Sequence, residues 1–377
     1  MIERGVLRRT PRTPRALRGS ESRSARSPLL KTGFRMPAEW EPHEATWLAW
    51  PHRLSDWPGK FAAIPWVYAE IVRNIAPGEI VRLIVTSARH EAEARRMLGR
   101  AGVDLSRVEF FRFPLDRGWT RDFGPIFIKK GRGRAVAIAR FRFNGWAKYP
   151  DSAKDDRVPE RVAKALGVPL VPVVHNGVPV VLEGGSIDVN GRGTLITTEE
   201  CLLDLKVQVR NPGFGREDLE AVFREVLGVT HTVWLGRGIA GDDTHGHVDD
   251  LCRFVGPRRV VLCREQDPRD ANYRPLEDAR ERLQAARLED GSRLEVVTLP
   301  MPRPLVFDGQ RLPASYANFY VANAAVLVPT FNDPADRIAL GILADMFPDR
   351  PVVGIHSVDL VWGLGTLHCL SQQQPAP

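Results

Sequence analysis

Cysteine is scarce in this chain, four in 377 residues, and no two form a CxxC pair. That excludes a zinc knuckle and a disulfide framework, and it fits a reducing, cytoplasmic setting. No stretch approaches the ~20 apolar residues of a membrane span, and the opening lacks the apolar run of a secretory signal, so no membrane partner is expected. Acid is what residues 1–31 lack: they hold nine of the 53 Lys and Arg but only Glu3 and Glu21 of the 46 acids. Their net +7 is the whole excess of the chain, leaving 44 cations against 44 anions in residues 32–377. A neutral folded part offers no basic face, so no specific nucleic-acid partner is expected. The Arg, Ser and Pro-rich opening reads as a disordered tail, with an organelle-targeting leader or a weak RNA contact as alternatives.

What is present is a repeat. Helical patterns fall at Ala88–Gly102, Arg157–Gly167, Arg216–Gly228, Pro275–Asp290 and Pro334–Phe347, a period of about 60 to 70 residues of the kind stacked or circular repeats produce. After each comes a β-branched, apolar run: Val108–Phe113, Leu170–Val174, Thr232–Leu235, Leu294–Leu299 and Val352–Ile355. Further strands are expected at Ile126–Lys129, Ala135–Phe143, Val260–Cys263 and Ala324–Val328. Asn190 and Gly191 mark a hairpin. The fold class is α/β in five units, with residues 32–377 as one domain.

Polar segments rich in chemistry recur at one phase of that period: WTRDFGP, LEGGS, GDDTHGHVDD and LHC. In a closed ring, residues at one phase gather on one side of the axis, so Asp122, His247, Asp249 and Cys369 share a pocket. Cys369 lies in the Gly-rich, polar stretch GLGTLHCLS, a poor place for a thiol kept only for packing, although a buried loop cysteine is the ordinary alternative. His247 and Asp249, two apart in GHVDD, face the same way if that segment is extended. Two carboxylates suit a cationic, planar guanidinium, whose N–H fork they accept in bidentate fashion. A guanidinium carbon is a poor electrophile, so its hydrolysis needs a strong nucleophile and a proton for the departing ammonia. Two other readings stand beside this one. The HxH pair His245 and His247, with Asp242, Asp243 and Asp249, is a candidate metal site for an amidohydrolase, which leaves Cys369 and RDFGP without a task. A catalytically silent binding protein is the third.

Eight segments, MPAEWEPHEATWLAWP, WTRDFGP, FNGWAKY, LEGGSIDVNGRGTLITTEECLL, GHVDD, SYANFYVAN, VPTFNDPAD and HCLSQQQP, resemble in content and order the agmatine deiminase and bacterial peptidyl-arginine deiminase family of the guanidino-group-modifying superfamily. The resemblance runs from Phe34 to Pro375. It implies a five-fold pseudosymmetric β/α propeller, the pentein fold, over a deiminase catalytic domain, with no metal and no organic cofactor. It implies Cys369 as nucleophile, His247 as general acid and base, and Asp122 and Asp249 as guanidinium clamps. The substrate it implies is a small guanidino compound, with agmatine, yielding N-carbamoylputrescine and ammonia, ahead of arginine, peptidyl-arginine and methylated guanidines. A homo-oligomer is allowed.

The chain also departs from the family. Gly363, Leu364, Gly365, Thr366 and Leu367 stand where Gly-Gly-Gly-Asn-Ile is common, and His245 where Asp or Asn is expected. Gly145, Trp146 and Ala147 replace the arginines with which the peptidyl-arginine branch holds a substrate carboxylate. For an amine-ended substrate, Asp243 is a candidate acidic partner and Trp119 a candidate aromatic wall, a cation over an indole gaining roughly 0.5 to 2 kcal/mol. Asn318 is a candidate hydrogen-bonding group near the pocket, against a plain turn asparagine. Glu183 and Ser186 fall at the site phase, with a hairpin-supporting role the reading at least as well favoured. Cys201, Cys252 and Cys263 read as core, and Trp40, Trp47 and Trp50 as packing where the ring closes.

Overall fold

One order of elements recurs five times: two antiparallel strands, a helix, and a third strand parallel to the second. A parallel neighbour cannot be reached by a tight turn, so the chain must cross over, and the amphipathic helix is that crossover. A computed structural model describes residues 33–131 and 133–377; the basic segment 1–31 lies outside the described residues. Ile126–Lys130 and Val136–Arg140 pair antiparallel, and Val136–Arg140 lies parallel to Leu170–Pro172 across helix Val158–Leu166. The next three units repeat this. They are Asp188–Val189, Thr194–Thr198 and His231–Leu235 across Arg216–Val222; Cys252–Gly256, Arg259–Arg264 and Glu295–Pro300 across Tyr273–Ala285; and Tyr320–Val321, Val326–Thr330 and Val352–His356 across Ala335–Met346.

The fifth unit joins the two ends of the described chain. Its first strand is the last of the sequence, Ser371–Pro375, antiparallel to His43–Ala49, which lies parallel to Ile80–Val85 across helix Ile64–Ile75. Val108–Arg112 extends that sheet across Ala88–Arg100. The tryptophans expected at this closure are there: Trp47 is fully buried and its Nε1 donates to Gln374 Oε1 at 2.9 Å.

All five helices read from the sequence form, within a few residues of their expected ends. Helix Ile64–Ile75 was not expected. Pro65 there resembles a breaker, yet it sits in the first turn, where a missing N–H costs nothing. The Asn190 hairpin forms as expected, with Asn190 Oδ1 accepting from the backbone N–H groups of Arg192, Gly193 and Thr194 at 2.9, 3.2 and 3.0 Å. No helix among the described residues is long and apolar enough to cross a membrane.

What this architecture supplies to function is a set of equivalent connections. Each leads from the last strand of one unit into the first strand of the next. They carry, in chain order, Asp122, then Glu183 and Gly185, then His247 and Asp249, then Asn318, then Cys369.

Candidate active site

Short helical turns, not strands, aim the side chains. Asp122 sits on the single turn Thr120–Phe123 and Cys369 on the single turn Leu367–Leu370. GHVDD, expected to be extended, is a bend followed by the 3-10 turn Val248–Asp250. The cause is local: Asp242 Oδ2 accepts from the N–H groups of Gly246 and His247 at 2.7 and 3.1 Å, and both His245 and Gly246 take positive φ. His247 and Asp249 nevertheless converge. A Cβ at Gly185 would lie 2.6 Å from His247 Nδ1, 2.9 Å from Asp122 Oδ1 and 3.0 Å from Asp249 Oδ2, so only glycine permits this approach.

Cys369 is buried, and its Sγ accepts from Asn318 Nδ2 at 3.1 Å and lies 3.7 Å from Asp249 Oδ2. The same Asn318 nitrogen reaches Asp250 Oδ1 at 3.0 Å, while Asn318 Oδ1 accepts from Thr366 Oγ1 at 2.8 Å and from the N–H of His368 at 3.1 Å. Asn318 therefore ties three of the site's segments together. Burial pushes the Cys369 thiol well above its ordinary pKa, the charges of Asp249, Asp250 and Asp122 push further, and only the Asn318 amide opposes them. Without a cation in the site the sulfur holds its proton.

His247 is fully buried, with Nδ1 3.7 Å from Asp122 Oδ1 and Nε2 3.7 Å from Glu183 Oε2. Neither ring nitrogen has a hydrogen-bond partner among the described residues. Burial disfavours the imidazolium, but Asp122, Cys201 and Glu183 outweigh it and hold His247 well above its ordinary pKa. Burial raises Asp122 to about 6 against the pull of His247, with Asp249 and Glu183 adding to the rise and the Trp146 indole, donating to Oδ2 at 2.8 Å, holding it down. Burial also opposes ionisation of Glu183, yet Arg210, 3.2 Å away, and His247 bring it down to about 2. Asp249 is lowered too: burial resists, but His368, whose Nδ1 is 2.6 Å from Asp249 Oδ2, prevails.

A cavity of about 200 Å³ opens above this floor, lined among others by Trp119, Asp122, Trp146, Asp243, Leu364 and Cys369. Trp119 thus stands where a wall was expected. Asp243 also lines the cavity, but both its oxygens are engaged, one with Lys148 and one with the Tyr149 hydroxyl at 2.7 Å. A free acidic partner for an amine it is not.

The HxH pair does not form a chelate. His245 Nε2 pairs with Asp204 at 2.9 Å, away from His247, and no cluster of three or more donors among the described residues includes it. Donor groups do gather at Glu183, Cys201 and His247, and at Asp249, Asp250 and Cys369. Cys201, read as core, is buried, yet it also borders the site's histidine. Sequence reasoning underrated Glu183, whose place in LEGGS at the shared phase was the available signal. It missed the chain His368, Glu39, Arg253 and Arg121, in which Glu39 Oε2 lies 2.8 Å from His368 Nε2, because single charged residues far apart carry no pattern. Ser186 donates from Oγ to the Glu183 carbonyl at 2.6 Å, closing the turn that precedes strand Asp188–Val189.

Fold and site together define an α/β protein with a buried polar centre in which a cysteine, a histidine and several carboxylates converge. The family model of the Porphyromonas-type peptidyl-arginine deiminases matches residues 35–375, and the chain belongs to that family. It is 37% identical to the agmatine deiminase of Stutzerimonas stutzeri over 368 residues, 92% of this chain and 96% of that protein. Identity to the agmatine deiminase of Ectopseudomonas mendocina is 35%, with the same coverage. The solved structure of the Enterococcus faecalis agmatine deiminase superposes with a TM-score of 0.85 at 30% identity, covering 94% of this chain and 98% of the other.

Proposed function

We propose that the protein is a cysteine hydrolase that deiminates agmatine, releasing ammonia and N-carbamoylputrescine. The observation that carries this reading is the convergence of Asp122, Asp249 and His247 about Gly185 beside Cys369. The agmatine deiminases it resembles over nearly their whole length give the substrate. The five sheets of like connectivity, closed by pairing of Ser371–Pro375 with His43–Ala49, support a five-fold pseudosymmetric β/α propeller with the site at one end of its axis.

Asp122 and Asp249 hold the two faces of the guanidinium fork, and the bound cation offsets the very charges that keep Cys369 protonated. The thiol proton passes to solvent as the cation binds, where the released ammonia takes it up, and the thiolate attacks the guanidinium carbon. His247 delivers a proton to the departing amino group. The C–N bond breaks, ammonia leaves, and an amidino-thioether remains on Cys369. His247, now neutral, takes a proton from water as its oxygen adds to the same carbon. The C–S bond then breaks to give the ureido product and the free cysteine. Glu183, kept ionised by Arg210, helps keep His247 charged. His245, turned to Asp204, is withdrawn from the HxH pair on which the metal alternative rests. A cytoplasmic location fits the free thiol that this chemistry needs.

Ammonia release measured across agmatine, free arginine, C-terminal arginyl peptides and methylated guanidines tests the substrate. Agmatine is expected to give the highest kcat/KM, with Cys369→Ser inactive and exhaustive chelation without effect. Preference for arginine or peptides overturns the agmatine assignment, and loss of activity on chelation overturns the cysteine mechanism.

A further inference from the structure

The cavity contains a second buried carboxylate that the chemistry at Cys369 leaves unused. Asp56 ends the 3-10 turn Leu54–Asp56, its side chain only 3% exposed, and it lines the same cavity as Trp119 and Cys369. Its two oxygens are not equivalent. Oδ1 faces Arg117 NH1 at 3.2 Å and Arg53 Nε at 3.7 Å, whereas Oδ2 is buried with no hydrogen-bond partner among the described residues. A buried carboxylate oxygen left unpaired is costly, and a ligand donor that reached it would relieve that cost. The buried hydroxyl of Tyr68, which feels the charge of Asp56, is likewise without a partner.

Resting on the agmatine reading above, we infer that Asp56 Oδ2 receives the primary ammonium at the far end of the substrate and so selects guanidines that carry an amine. Of the three carboxylates that line the cavity, Asp122 is committed to the guanidinium, and both oxygens of Asp243 are engaged by Lys148 and Tyr149. Asp56 Oδ2 is the one oxygen of these three carboxylates with no hydrogen-bond partner among the described residues. Trp119, Trp362 and Tyr149 line the path between, giving aromatic faces to the butyl chain and to the arriving cation. Burial holds Asp56 up at about 6 even against Arg117 and Arg53, the state of a carboxylate that gains by meeting a further cation.

The test compares agmatine with n-pentylguanidine, in which a methyl replaces the ammonium, on wild type, Asp56→Asn and Asp243→Asn. Wild type is expected to favour agmatine in kcat/KM by tenfold or more. Asp56→Asn should raise KM for agmatine by about tenfold with kcat within twofold, and leave pentylguanidine unchanged. The preference should survive in Asp243→Asn. Equal losses on both substrates in Asp56→Asn, or a preference lost only in Asp243→Asn, overturn the assignment. The wild-type comparison keeps it exposed if Asp56→Asn fails to fold, because equal handling of both substrates leaves no amine site to assign. Failure of wild type to release ammonia from agmatine overturns the activity reading itself, a result distinct from any of these.

Discussion

The side-chain nitrogen of Asn318 stands 3.1 Å from Cys369 Sγ and 3.0 Å from Asp250 Oδ1, so one amide restrains both the nucleophile and a buried acid. In Asn318→Ala, Asp250 loses that donor and the thiol loses the one group that favours its ionised form. A hydrogen bond to a charged group is worth roughly 1.5 to 3 kcal/mol, and kcat for deimination should fall by about ten- to a hundredfold. KM should move far less, since Asn318 does not hold the guanidinium. Steady-state kinetics check this, and an effect confined to KM would place Asn318 in binding instead.

Asp122 is expected to give deimination its acid limb. It clamps a cation only when ionised, and its value of about 6 means kcat/KM should fall as pH drops below that point. Trp146→Phe removes the indole donor from Oδ2, raises Asp122 further and moves the limb to higher pH by about one unit. The stability effect has the opposite sense. The folded value exceeds the unfolded one near 3.9, so the fold binds this proton more tightly and loses stability as pH rises from about 4 to 6. A pH profile of kcat/KM for both proteins decides it: coincident acid limbs would exclude Asp122 as their source.

The helices and strands were legible because each unit buries one face of a helix against one sheet, and that leaves a period in the apolar residues. The principal site residues were legible because they sit at one phase of the repeat, in the connections that follow the last strand of each unit. The bend at GHVDD was not, since it depends on Asp242 reaching forward to two N–H groups while two residues take positive φ. The pairing of Asp243 with Lys148 and Tyr149 was equally hidden, because it joins segments about 95 residues apart. The Asp122 clamp shows both sides: RDFGP flagged the carboxylate, but its indole partner Trp146 was noted only for what it replaced.

Glu39 should be a keystone of stability. It is buried and receives Arg253 at 3.0 Å, Arg121 at 3.2 Å, His368 at 2.8 Å and the N–H of Val321 at 2.8 Å. Burial opposes its charge, but Arg253, His368 and Arg121 hold it well below the ordinary carboxylate value, so its contribution is complete at neutral pH and is lost as pH falls towards that depressed value. Glu39→Gln leaves two buried guanidinium groups undercompensated and should cost about 3 to 5 kcal/mol. Chemical denaturation at pH 7 measures the loss, and the gap between variant and wild type should narrow in acid.

Leu364, which stands where the family resemblance leads one to expect glycine, takes φ +69°, in the left-handed region. That conformation costs a branched side chain about 1 to 2 kcal/mol. Its neighbours cannot share the burden: a Cβ on Gly363 would lie 2.5 Å from Trp57 Nε1, and one on Gly365 2.8 Å from Trp119 and 3.2 Å from Cys369 Sγ. The leucine side chain lines the cavity and is partly buried against the core. Leu364→Gly relieves the backbone but gives up this packing, so stability should change by no more than about 1 kcal/mol. The cavity wall, by contrast, recedes. Guanidines bearing an added N-methyl group should gain on agmatine in kcat/KM by severalfold, in line with the roughly 1 to 3 kcal/mol that one methylene is worth in an apolar pocket. Competition assays with agmatine and its methylated analogue read the ratio directly, and an unchanged ratio would remove Leu364 from the determinants of specificity.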